Sequence, residues 1–139
     1  MTRVGFYVVQ AAEAGQRLQV AARLAAKAFA AGHRIYINAV DREQAATLDE
    51  LLWSFRPDSF LPHALAGEEF SDRIAIGWGQ DPGEHNDLLI NLQLEIPAFF
   101  SRFARVAEVV TQDEQSLAAL RCSWTFYRDR GYQLEKHDL

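Results

Sequence analysis

Apolar residues along the chain alternate between short continuous runs and longer stretches with helical spacing. Val4 to Val9 is a nearly unbroken apolar run, as expected of a strand buried on both faces. Ala11 to Ala31 is alanine-rich, and Leu18, Ala21, Ala22, Leu24, Ala25 and Phe29 fill one broad side of a helix. Gly32 follows where a left-handed cap is wanted. Arg34 to Ala39 reads as a second strand, and a crossover of this length predicts a parallel, right-handed unit. Asp41 caps the next helix, with Gln44 three residues on as in a capping box. Further strands are predicted over Arg73 to Ile76, Asp87 to Leu92 and Arg105 to Val110. Between them lie a turn-rich loop, Gly77 to Asn86, and an aromatic-rich turn or short helix, Ile96 to Phe103. Asp113 caps a final helix that ends at Gly131. The expectation is one α/β domain over residues 1–139. It is a three-layer sandwich: a mostly parallel, five-stranded sheet flanked by helices, Rossmann-like without a phosphate loop.

Two stretches depart from this pattern. On a wheel over residues 42–55, Ala45, Leu48, Leu51, Leu52 and Phe55 form the buried stripe, but Trp53 sits well round the helix with Ala46 and Asp49. Arg56-Pro57 stops the helix, because proline disfavours helical geometry in the residue before it. Phe60 and Leu61 follow, between Ser59 and Pro62. Two readings fit: a partner-contact surface, since Trp is enriched among residues that dominate interfaces, or rings covered by a neighbouring loop. In the final helix, Leu117, Leu120, Trp124 and Tyr127 share a face, with Arg121, Trp124 and Arg128 in a narrow stripe along its border. Ala119, Cys122 and Phe126 form a second, smaller apolar side. Two guanidiniums beside aromatic rings suit a carboxylate with an apolar side chain attached. Helix electrostatics also accounts for Arg128 and Arg130 near the C-terminus, but not for Arg121 in mid-helix.

Composition narrows the function. The net charge is −5 without a basic run, so direct grip on a phosphate backbone is disfavoured. The single cysteine, Cys122, excludes an internal disulfide, and inside the last helix it reads as a small packed residue. The first apolar run is too short for a signal-peptide core or membrane span, so a cytoplasmic domain without a membrane role is expected. Gly77-Trp-Gly lacks the third glycine at the dinucleotide spacing, where Pro82 stands, and leads towards a strand. His33, His63, His85 and His137 form no helical metal pair; His85 with Asp87 reads as solvated loop. No catalytic set, metal site or cofactor is expected. The runner-up is a nucleotide-using, Rossmann-like enzyme with its ligand at the carboxyl ends of the strands.

The chain resembles the chi subunit of bacterial DNA polymerase III holoenzyme over nearly its whole length. The resemblance rests on Phe6-Tyr7, on Asp49-Glu-x-Leu-Trp53, and on Ser59-Phe-x-Pro-His-x-Leu-Ala-Gly67. Asp87-x-Leu-Ile-x-Leu92 and the Arg121 to Gly131 segment with Tyr127 and Arg128, closed by Tyr132, add to it. It implies a non-catalytic adaptor in DNA replication that pairs with the psi subunit, and through psi with the clamp loader. It also implies binding of the acidic C-terminal tail of single-stranded DNA-binding protein, with DNA contact only indirect, and a helicase-like repair protein as a further partner. Trp53, Phe60, Leu61 and Pro62 would face psi or the helicase-like partner; Arg121, Trp124, Tyr127 and Arg128 would form the tail pocket. Two positions depart from the family. Trp124 stands where a tyrosine is expected, and a pocket lysine one turn before Arg121 has no counterpart, since Leu117 and Ala118 stand there. Arg128 would partly replace that charge.

Overall fold

The computed structural model describes residues 2–54, 63–65 and 73–139, with 14, 53, 54 and 63–65 described as backbone alone. Strands β1 (Arg3–Val8), β2 (Ile35–Asn38), β3 (His63–Leu65), β4 (Ile74–Gly77), β5 (Leu88–Asn91), β6 (Arg105–Val110) and β7 (Gln133–Asp138) form one sheet. Its order is β3-β4-β2-β5-β6-β1-β7, and every pairing among the described strands is parallel. Helices α1 (Ala14–Ala30) and α2 (Arg42–Ser54) cover one face. Helix α3 (Glu114–Asp129) and the Phe99–Phe103 segment cover the other. The expected three-layer architecture holds.

Among the described residues the sheet has seven strands where five were expected. The two additions carry little apolar signal. β3 is three residues long, and β7 reads Gln-Leu-Glu-Lys-His-Asp, with no residue fully buried. β7 is an edge strand, and charge is how such edges avoid pairing with other chains. Its place is set by hydrogen bonding to β1, in the register Phe6 to Lys136.

Local chemistry fixes the helix ends. Gly32 (φ 93°) and Gly131 (φ 80°) adopt the left-handed conformation. At the end of α1, His33 N–H donates to the Ala28 carbonyl and Gly32 N–H to Phe29, both at 3.0 Å. Tyr132 N–H donates to Tyr127 and Gly131 N–H to Arg128 in the same way after α3. These pairs satisfy carbonyls that a helix end leaves open. At α2, Asp41 accepts from Gln44 N–H (2.8 Å), while Gln44 Oε1 accepts from Val40 N–H, one residue before the position of the usual capping box. Along α2, Ala45, Leu48 and Leu52 are fully buried and Leu51 packs against them, as the wheel predicts.

Two loop readings change. His85 is buried, its ring 6.0 Å from that of Tyr36, and is not a solvated residue. Asp87 is held by the ring of His33 (3.1 Å) and by Arg34 N–H (3.0 Å), which fixes the turn into β5. Gly77 makes room: a Cβ there would lie 1.8 Å from the Tyr36 hydroxyl, which donates to the Gln80 carbonyl at 3.0 Å.

Candidate docking surfaces

α3 begins at Asp113, whose carboxylate accepts from Ser116 N–H (3.0 Å) and from the Thr111 hydroxyl. Those donors, Thr111 first, hold the Asp113 carboxyl down at about 2. The helix is pinned at its other end by Tyr127, which has no exposed surface. The Tyr127 ring packs edge-on to Phe100 (5.3 Å) and Phe6 (6.0 Å). Its hydroxyl donates to Glu108 Oε2 at 2.9 Å.

Glu108 is the inner end of a buried polar chain. Asn38, Asn91 and Glu108 are aligned in register on β2, β5 and β6. Asn38 Nδ2 donates to Asn91 Oδ1 (3.1 Å), and Asn91 Nδ2 donates to Glu108 Oε1 (2.9 Å). Burial raises the Glu108 carboxyl to about 7, against the opposing pull of Tyr127, Asn91 and the Arg17 charge. The chain was missed in the sequence because each member sits singly in an apolar strand. That isolation was itself the available signal, since a polar side chain on a strand buried on both faces needs a partner.

Tyr127 therefore belongs to the core and not to an exposed pocket, a correction to the sequence reading. At 100° per residue it falls near the centre of the buried stripe, and its phenol reaches inward to a carboxylate. The other three predicted residues lie on the flank of α3 that leans over β1. The Trp124 ring is half-buried, 5.2 Å from Phe6. Arg121, one turn before it, is exposed, and no hydrogen bond or ion pair engages it among the described residues. Arg128 is exposed and lies 3.4 Å from Asp129. An apolar ring next to an uncommitted guanidinium is suited to a carboxylate at the end of an apolar chain.

The opposite flank of α3 is different. Ala119, Cys122 and Phe126 line a groove of about 500 Å³ against Leu94, Ile96 and Pro97. Cys122 is exposed here and not packed, because its position on the wheel is turned away from the sheet. Arg130 lies 3.7 Å over the Phe126 ring and so is occupied within the helix.

Of the other predicted surface, Trp53 lies in the last turn of α2, with its side chain outside the described residues. Phe60, Leu61 and Pro62 also lie outside them. On the side of α2 that Trp53 shares, Ala46 is exposed and Asp49 half-buried. The nucleotide alternative finds no cradle after β4. Gly77 is spent on the Tyr36 approach, Gly79 (φ 112°) on the turn, and the segment enters β5 without a helix whose N-terminus would hold a phosphate. Among the described residues no helix is long and apolar enough to cross a membrane.

The family model described as DNA polymerase III chi subunit, HolC, matches residues 1–135. The chain is 48% identical over 139 residues to the DNA polymerase III subunit chi of Pseudomonas aeruginosa, covering 100% of this chain and 98% of that one. It is 33% identical over 124 residues to the Haemophilus influenzae protein of that name (87% and 86% covered). The Escherichia coli protein of that name is 32% identical over 119 residues (84% and 81%).

Proposed function

The chain belongs to the DNA polymerase III chi subunit family, and on that premise we propose that it is a non-catalytic accessory subunit acting in DNA replication in the cytoplasm. It bridges the psi subunit, and with it the clamp loader, to the C-terminal tail of single-stranded DNA-binding protein. The observation that supports the tail contact is Arg121: exposed, uncommitted, and beside the half-buried Trp124 on a helix whose position is fixed from below. The guanidinium receives the terminal carboxylate, and the indole gives an apolar seat for the last side chain of the tail. Arg128 adds positive charge along the same stripe. DNA contact is indirect, in keeping with a net charge of −5. Trp53, Phe60, Leu61 and Pro62 form the surface for psi or for a helicase-like repair protein.

Arg121→Ala is expected to weaken an acidic, Phe-ended peptide by about 2 kcal/mol, as for a charged hydrogen bond lost at a binding site. Isothermal titration of wild type and variant measures this, and unchanged affinity removes the tail assignment. Trp53→Ala is expected to abolish co-purification with a psi subunit while the melting temperature holds. A sharp fall in melting temperature would instead make Trp53 a structural residue.

A further inference from the structure

We infer that Lys136, on the edge strand β7, completes the acidic-peptide site by supplying from the sheet the cation that the helix lacks. The inference rests on the tail-docking reading above. One turn before Arg121 the helix presents Leu117 and Ala118, so its face carries no charge there.

The sheet supplies one by register. Lys136 is paired with Phe6 across the β1–β7 ladder, and neighbouring strands lie about 5 Å apart. Phe6 is the residue whose ring meets Trp124 at 5.2 Å. Side chains alternate along a strand. Leu134 packs with the α3-side core, whereas the ring of His137 stacks on Tyr7, at 4.7 Å, among the side chains that face α1. Lys136, two residues after Leu134, is therefore on the α3 face, next to the Phe6–Trp124 pair.

Direction agrees. β6 and β7 are both parallel to β1, so α3, which joins them, runs back against the strands. Arg121, N-terminal to Trp124, then lies towards the carboxyl ends of the strands. The Lys136 ammonium points the same way: its one partner among the described residues is Asp138, further along β7, at 3.7 Å. Both members of that pair are more than half exposed (53% and 63%), so the contact is weak and exchangeable. Arg121, Lys136 and Arg128 thus surround Trp124 from two elements. Asp138 lies beside Lys136 and Asp129 beside Arg128, and Glu114 stands two turns before Arg121 on the same stripe of the helix. An acidic peptide replaces Asp138 on Lys136 while its terminal carboxylate is held by Arg121.

The test uses the full chain and a fluorescent acidic peptide ending in Phe, titrated at low and moderate salt. Lys136→Gln is expected to raise Kd about 3- to 5-fold and Lys136→Glu about 10-fold or more, the range for exposed ion pairs and their reversal. Lys136→Arg should keep the affinity, and the Gln variant should show a shallower salt dependence. Asp138→Asn, which frees the ammonium, should tighten binding about 2-fold. A peptide with its acids changed to amides should bind both wild type and Lys136→Gln equally. If wild type binds and Arg121→Ala weakens it, but Lys136→Glu stays within 2-fold of wild type, the role of Lys136 is overturned and the tail reading stands. If wild type does not bind the peptide, the tail reading itself fails and this inference with it.

Discussion

Tyr127→Ala is expected to destabilise the fold by about 4 kcal/mol, the range for removing a buried aromatic ring. Three changes combine. The ring leaves a void between Phe6 and Phe100, which it contacts at 6.0 and 5.3 Å. The hydroxyl no longer donates to Glu108 Oε2, so a buried carboxyl loses one of its two side-chain hydrogen bonds. The C-terminal turn of α3 loses its anchor just where Tyr132 N–H closes on the Tyr127 carbonyl. Urea denaturation at neutral pH measures the loss. Tyr127→Phe separates the terms: it keeps the ring and should cost about 1–3 kcal/mol, the penalty for an unmade buried hydrogen bond. If Tyr127→Ala cost less than 1 kcal/mol, α3 would have to be held by something other than this contact.

The second large effect is a pH dependence located at Glu108. Its carboxyl is raised from 4.5 to about 7, with burial as the main cause. A folded-state value above the unfolded one means that the folded protein holds the proton more tightly. The associated stability is fully present below about pH 4.5 and is lost as pH rises through about 7. By linkage the loss is on the order of 3 kcal/mol. Glu108→Gln keeps the shape and removes the ionisation. Its unfolding free energy should therefore lack the decline expected of wild type between pH 5 and 8, and the variant should be the more stable protein at pH 8. Asp113, held near 2, titrates below this window and does not confound it. Stability curves for wild type and Glu108→Gln that stay parallel across pH 5–8 would show that Glu108 is not ionising in a buried site.

The buried face of α2, both helix caps on aspartate and the left-handed glycine after α1 were legible in the sequence because each is a local rule acting on a few neighbouring residues. Asp113 and Asp41 accept from N–H groups three residues on, and Gly32 has the backbone conformation its position requires. What was not legible depends on contacts distant in sequence. β7 is a strand because β1 pairs with it, about 130 residues earlier, and its own residues carry almost no apolar alternation. Tyr127 shares the apolar face on the wheel, but its bond to Glu108 could not be read there, because that partner belongs to another element. Cys122 failed in the reverse direction: small and apolar, it looked packed, yet its flank of α3 opens onto a groove. Within the proposed tail site, Arg121 and Trp124 are separated by one helical turn and could be found from spacing. The proposed part of Lys136 could not, since only strand register sets it beside Phe6.

α2 and α3 cover opposite faces of one sheet. Tension applied between a protein held at the end of α2 and another held on α3 would therefore act through the thickness of the sheet, across the ladders and not along them. Strand pairs would not be peeled apart one bond at a time. The pull would have to separate a whole apolar layer at once, with the Tyr127–Glu108 bond acting as a rivet that fastens the outer helix to the strands. A load passed from one side to the other would therefore be carried by that layer and that bond together.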